Sequence, residues 1–358
     1  MVKLWANAGT KRSGIELPTK MRAYEVQRTD SEYDGVVQSE RSEPNPDADE
    51  ALVRIHACSL NYRDLAIANA DLVYPGAEPP VIPLSDGAGE VVEVGDDVER
   101  ISAGTRVATP FAPDWIEGAG TPEKLARTTG GSTDGALAEY VTFPAESLAV
   151  LPDYLSYEEG ATLSCAGLTA WRAFVEDGNL HAGETVLALG TGGVSTFALQ
   201  FAAMHGVRTV VTSSSDEKLE AARELGANET INYESTPEWG EVVQERIGGA
   251  DHVVEVGGPG TLEQSLEAAA VGGHVHLIGV LAGQQGRVDP GPIMHKSLDV
   301  EGVMGVGSRA MFDRMTDAMA VEEMHPVIDR VVDFDDVREA YRHVDRGEHR
   351  GKVVISVE

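Results

Sequence analysis

Gly190, Gly192, Gly193 and Val194 stand in the run Leu-Gly-Thr-Gly-Gly-Val-Ser that ends at Ser195, with the Gly-x-Gly-x-x-small spacing of a pyrophosphate cradle. The chemistry of that spacing belongs to the backbone. Gly190 permits a tight turn after an apolar strand, and Gly192 lets the main chain come close to a diphosphate. A helix opening at Gly193 and Val194 offers unpaired N–H groups at the positive end of its dipole. Ser195 replaces the third glycine, a small departure that a β-carbon and a hydroxyl can fit. The choice of dinucleotide is read about twenty residues further on, where a carboxylate at the end of the second strand would bind the ribose hydroxyls of NAD. Here the strand 208–212 runs instead into Ser213, Ser214 and Ser215, with Lys218 in the first turn of the next helix. Hydroxyls and an ammonium accept a 2′-phosphate and a carboxylate repels it, so the pattern favours NADP(H) over NAD(H), with Asp216 and Glu217 as opposing charges nearby.

The elements that must position these groups follow from the same stretch. Residues 186–227 read as strand, glycine turn, helix, strand and helix, which is half of a dinucleotide-binding unit. Further strands are expected at 252–256 and 274–279, each after helical periodicity, as a parallel sheet requires. Upstream, short β-type runs at 23–27, 51–57, 90–94, 105–108 and 138–142 suggest a compact barrel-like body. Residues 111–135, rich in Gly, Pro, Thr and charge, read as a long surface excursion beside the cleft. Residues 157–177 read as a helix leading into the dinucleotide unit, and the tail from Val303 returns to mixed elements and a final strand at 353–357. The fold class is α/β, and 358 residues suit two domains.

Composition narrows the partners. Fifty-nine acidic against 28 basic residues give a formal net charge of −31, which disfavours nucleic acid and anionic membranes. An acidic, lysine-poor surface of this kind resembles that of proteins from salt-loving organisms, where concentrated salt screens the self-repulsion. Two cysteines, Cys58 and Cys165, make neither a disulfide framework nor a Cys-x-x-Cys zinc site. The expectation is therefore a cytoplasmic protein, with no membrane-spanning run and no signal peptide. Residues 1–20, basic on an acidic protein, read as an extension ahead of a second possible start at Met21.

From Met21 to Glu358 the chain resembles the medium-chain dehydrogenase/reductases. The resemblance is carried by Leu60-Asn61-Tyr62-Arg63-Asp64, by the stretch Pro83 to Val92, by Ser164-Cys165-Ala166-Gly167-Leu168-Thr169-Ala170, by Leu225-Gly226-Ala227, and by Gly347 through Val354. It implies a GroES-like, β-rich catalytic domain from residues 21–166 and 303–358 around a Rossmann domain of residues 167–302. The zinc-independent branch, with its quinone oxidoreductases and NAD(P)-dependent alcohol dehydrogenases, is the part it resembles most. Of the three catalytic zinc ligands in zinc-type members only Cys165 has a counterpart here, since Asn61 and Ser85 stand in the other two stretches. One thiolate cannot hold zinc. His274 and His276 alternate on one strand face without a third ligand and read as strand-end or subunit-contact residues.

Without a metal, charge developing during hydride transfer must meet hydrogen-bond donors. The resemblance nominates Asn61 first, then Tyr62, Tyr74 and Ser85. On the cofactor side it implies Thr169 near the nicotinamide, Lys218 and Tyr233 at the 2′-phosphate, and Gly257 and Gly279 at the ends of later strands. Arg309 and Lys352 follow as weaker contacts from the tail. The function implied is hydride transfer from NADPH to a quinone or an α,β-unsaturated carbonyl compound, by a homodimer or higher homo-oligomer. Alternatives are an NAD(P)-dependent alcohol or aldehyde dehydrogenase and a non-enzymatic NADPH-binding protein of structural or redox-sensing role. The first lacks the metal or strong base that alcohol deprotonation needs, and the second would leave the polar set of Asn61, Tyr62, Ser85 and Thr169 without a task.

Overall fold

The computed structural model describes residues 20–27, 33–69, 76–77, 79–303 and 306–357. Tyr74 lies outside them, as does the expected extension apart from Lys20, which opens the first strand. The strands β1 (Lys20–Val26) and β2 (Val36–Ser42) form an antiparallel ribbon. Next come β3 (Glu50–Ser59), α1 (Tyr62–Ala68), β4 (Asp86–Val94), β5 (Arg106–Ala108), β6 (Tyr140–Pro144) and β7 (Ala149–Val150). The centre of this second sheet is β3, antiparallel to both β4 and β6. Its apolar residues are not confined to alternate positions, because neighbours cover both of its faces.

The expected helix at 157–177 is a nearly continuous run of uneven pitch. It comprises α2 (Tyr157–Gly160), α3 (Leu168–Trp171) and π-helical turns at Leu163–Gly167 and Arg172–Asp177. It delivers the chain to β8 (Thr185–Leu189), α4 (Gly193–Met204), β9 (Arg208–Ser213), α5 (Asp216–Glu224), β10 (Glu229–Asn232) and α6 (Trp239–Ile247). Then follow β11 (Ala250–Glu255), α7 (Leu262–Ala268), β12 (Ala269–Leu277), α8 (Gly291–Lys296) and β13 (Asp299–Gly302). These strands lie in the order β10-β9-β8-β11-β12-β13, every neighbour parallel. The chain moves outward from β8 to β10 and then crosses to the other side of β8 at β11. That reversal leaves a crevice beyond the carboxyl ends of β8 and β11, where parallel sheets bind ligands.

The tail supplies α9 (Arg309–Val321), β14 (Ile328–Asp333), α10 (Val337–Asp345) and β15 (Lys352–Ser356). It returns to the first body, since β15 pairs antiparallel with β3 and parallel with β14. Residues 111–135 behave differently from expectation. None of them lines the large cleft described below; Phe111 and Trp115 are buried. The Trp115 and Ile116 carbonyls accept the backbone N–H groups of Arg309 and Ala310, so this excursion docks on the start of α9.

Candidate functional site

A cleft of about 780 Å³ opens where the two bodies meet. The glycine turn forms one wall. Gly190 adopts φ +73°, the left-handed conformation that the turn demands of it. A β-carbon on Gly192 would meet nothing within 4 Å, so the space a diphosphate needs is open there. Ser195, in place of the third glycine, donates its hydroxyl to the Leu189 carbonyl at 2.6 Å and so fits inside the turn. Gly193 and Val194, the first residues of the twelve-residue α4, also line the cleft and bring the helix N-terminus to it. The arrangement suits a pyridine dinucleotide, whose pyrophosphate would lie against these N–H groups.

The tail closes this wall from the other body. Gly351 bridges Gly192, and its N–H donates to the Thr191 carbonyl at 2.9 Å. His349, two residues earlier, lines the cleft, and burial, followed by the nearby Lys218 ammonium, lowers its pKa to about 4. Opposite stands the Gly257 turn, shaped by a carboxylate that sequence reasoning missed. Glu255, fully buried, accepts the N–H groups of Gly257 and Gly258 at 2.7 and 2.8 Å and the hydroxyls of Thr261 and Ser265. An acidic residue at the last position of a parallel strand, just before Val-Gly-Gly, was the available signal.

The third wall carries the polar side chains. Asn61 precedes α1, its N–H donating to the Asp64 carboxylate at 2.8 Å. Burial raises the Asp64 pKa to about 6. The Asn61 Oδ1 accepts from Lys352 Nζ at 2.5 Å, while its Nδ2 is buried without a hydrogen-bond partner among the described residues. Tyr62, 42% exposed, sits beside it on the cleft. Ser85 is placed elsewhere. Fully buried and absent from the lining, it donates its hydroxyl to Asp86 Oδ1 at 2.8 Å.

The remaining expectations divide. Tyr233, Gly257 and Lys352 line the cleft with Asn61, Tyr62, Gly190, Gly192, Gly193 and Val194. Thr169 is buried in α3 and is not among the lining residues. Gly279 packs on the Val256 backbone, behind the wall. Arg309 pairs with Asp313 at the start of α9, away from the cleft. Ser213 is buried, its hydroxyl oxygen accepting from the Ser215 N–H, and Ser214 is exposed. Lys218 lies behind the turn, donating to the Gly347 carbonyl at 2.5 Å and sharing a small recess with Arg350.

The positions that match a zinc site do not fit the metal. The Asn61 oxygen is engaged by Lys352 and the Ser85 hydroxyl by Asp86. Burial, and then the Asp86 charge, push the Cys165 thiol far up. The Lys352 ammonium, 3.5 Å from Asp86, adds positive charge where zinc would need anionic ligands. Among the described residues no group of three or more His, Cys, Asp or Glu side chains could hold a metal. His274 and His276 instead stack with a third histidine, His252 of the adjacent β11, at ring separations of 5.2 to 5.9 Å. His252 Nδ1 lies 3.1 Å from His276 Nε2, and the outer nitrogens of this pair face Glu184 at 3.2 Å and Glu301 at 2.7 Å.

A glycine-turn parallel sheet, clasped by a β-rich body whose last strand comes from the chain end, defines a dinucleotide-dependent oxidoreductase of two-body design. The chain belongs to the medium-chain dehydrogenase/reductase superfamily: the family described as zinc-binding dehydrogenase matches residues 193–321, and the alcohol dehydrogenase GroES-like domain matches residues 47–153. It is 42% identical over 318 residues to the zinc-type alcohol dehydrogenase-like protein C1773.06c of Schizosaccharomyces pombe, covering 86% of this chain and 91% of that one. A solved NAD-dependent alcohol dehydrogenase superposes with a TM-score of 0.85 at 29% identity, over 94% of this chain and 100% of that one. The quinone oxidoreductase of Coxiella burnetii shares the fold, with a TM-score of 0.77 at 22% identity over 95% and 100% of the two chains. The protein is thus an oxidoreductase of this type, with a pyridine nucleotide cofactor and a small-molecule substrate. Among the described residues no helix is long and apolar enough to cross a membrane.

Proposed function

We propose that the protein is a zinc-independent, NADPH-dependent reductase of quinones or α,β-unsaturated carbonyl compounds. The observation that carries this reading is the Asn61 Nδ2, a buried amide donor without a partner among the described residues, on a residue that lines the cleft. Bound NADPH would supply the hydride. The substrate gains that hydride and a proton from solvent, and negative charge gathers on its oxygen as the hydride arrives. Asn61 meets that charge with a preorganised N–H, and the partly apolar cleft strengthens the contact. Tyr62 offers a second donor, its hydroxyl, at the same wall.

NADPH preference is supported at the end of β9, where no carboxylate occupies the strand terminus. The nearest one, Asp216, accepts from Asn232 Nδ2 at 2.7 Å. Lys218 and Arg350, neighbours in the recess behind the turn, add positive charge on this side of the sheet. The names of the relatives favour a second reading, reversible alcohol oxidation, in which a base would be required at the Asn61 wall. One experiment separates the two: NADPH or NADH oxidation with a panel of quinones and enones, and NADP⁺ or NAD⁺ reduction with alcohols, in concentrated salt before and after exhaustive chelation. The expected result is reduction of quinones or enones that survives chelation. Alcohol oxidation abolished by a chelator and restored by zinc would overturn the reading.

A further inference from the structure

We infer that Lys352 is the positioning residue of the substrate-side donor: it holds the Asn61 carboxamide by its oxygen and thereby leaves the Nδ2 hydrogens for the cleft. The inference rests on the reading of Asn61 as the donor to substrate. Lys352 opens β15, and its side chain is 2% exposed. Its Nζ lies 2.6 Å from the Leu60 carbonyl, 2.5 Å from Asn61 Oδ1 and 3.5 Å from Asp86 Oδ2. Three acceptors thus surround an ammonium that has three hydrogens. An ammonium accepts nothing, so only the oxygen of the carboxamide can face it, and this contact settles which way the amide points.

The anchor is itself anchored. Asp86, with a fully buried side chain, accepts from Ser85 Oγ at 2.8 Å, Ser59 Oγ at 3.4 Å and the Cys165 N–H at 3.3 Å. The order of control runs from β4 through the first residue of β15 to the loop before α1. The residue before Lys352 is Gly351, which bridges Gly192, so one short segment sets both the cofactor turn and the donor facing it. Lys352 read as a cofactor ligand accounts for less, because protein acceptors already surround its ammonium.

The test uses the full chain and three variants, Lys352→Met, Lys352→Arg and the double variant Asp86→Asn/Lys352→Met. The double variant removes the carboxylate that the single Met variant would leave buried and unpaired. With a substrate that the parent reduces, Lys352→Met and the double variant should lose roughly tenfold or more in kcat, while NADPH Kd from fluorescence titration stays within about twofold. Lys352→Arg, which can still donate to the Asn61 oxygen, should recover part of the loss. A crystal structure of the double variant should show the Asn61 carboxamide turned from its parental orientation. A folded double variant with parental kcat, or a loss confined to NADPH Kd, overturns the inference. Should the parent reduce nothing in the panel, the functional reading fails on its own, and the Asn61 orientation in that crystal structure still decides the role of Lys352.

Discussion

The Asp86–Lys352–Asn61 cluster and the Glu184–His252–His276–Glu301 ladder are both polar networks built on buried side chains, and they differ in the balance of their hydrogens. In the ladder three contacts lie in line between two carboxylates and two imidazoles, and two neutral imidazoles carry only two N–H hydrogens. At neutral pH one of the three contacts is therefore short of a hydrogen, and burial above all pushes the Glu301 carboxyl up, toward uptake of a proton as pH falls. The cluster at the cleft has the opposite imbalance. Lys352 faces three acceptors, and the Asn61 Nδ2 remains over. A network short of a hydrogen closes on itself and stiffens a sheet, whereas one with a donor to spare at an open cleft awaits a ligand.

The strongest way to break this contrast is to delete the surplus donor. Asn61→Ala should depress kcat for quinone or enone reduction by about a hundred- to a thousandfold, the usual effect of losing one preorganised donor to a developing oxyanion. NADPH affinity should hardly move, because the pyrophosphate turn is built by other residues. A folded variant with near-parental turnover would demote Asn61 to a loop residue and leave Tyr62 as the described donor to test.

The ladder should answer to pH instead of substrate. Burial lowers the pKa of His252 and brings that of His276 to about 3, both below the ordinary histidine value of 6.5. A folded-state pKa below the unfolded one means that stability is fully present above pH 6.5. It is lost as pH falls, because the unfolded chain binds the proton first. For His276 alone the loss between neutral pH and pH 5 is about 2 kcal/mol, partly offset as Glu301 takes up its proton. The charges around it are Glu184, Asp251, Asp299, Asp177, Arg172 and the His274 ring. Chemical denaturation at pH 7.5 and pH 5 should therefore show a smaller acid loss in His276→Leu than in the parent. Equal losses would remove the ladder from the acid response.

How much of this was legible in the sequence follows from how far apart the partners lie. The glycine turn and the serines after β9 are local patterns, and Ser195 fits the turn as a small residue should. Asn61 came from resemblance, and the structure puts it on the cleft wall. The contacts that give it direction do not appear in any local pattern: Lys352 is 291 residues away and meets it only through the pairing of β15 with β3. His252 was overlooked beside His274 and His276 for the same reason, since the parallel register of β11 on β12 brings them level. Ser85 matches a family position by resemblance, but an adjacent buried carboxylate engages its hydroxyl. Resemblance draws Arg309 toward the cleft and composition draws residues 111–135 there, but the two pack on each other at the start of α9.

The smallest effect sharpens the comparison by setting two lysines against each other. Lys352 faces three acceptors with its three hydrogens, whereas among the described residues Lys218 has one hydrogen bond from its ammonium, to the Gly347 carbonyl. Burial lowers the Lys218 pKa, with Asp329, Glu348 and Glu217 opposing that shift and Arg350 adding to it. On the proposed NADP(H) reading its remaining hydrogens meet the 2′-phosphate, which NADH lacks. NADPH should bind the parent several-fold tighter than NADH. A charge-assisted contact of this kind contributes roughly a factor of ten in affinity, so Lys218→Ala should weaken NADPH by about that factor and leave NADH unchanged. Fluorescence titration of both nucleotides against parent, Lys218→Ala and Lys352→Met reads the contrast directly. The preference should narrow in the first variant and persist in the second. Equal affinities in the parent would remove the case for NADP(H), and a preference lost only in Lys352→Met would move the phosphate contact to β15.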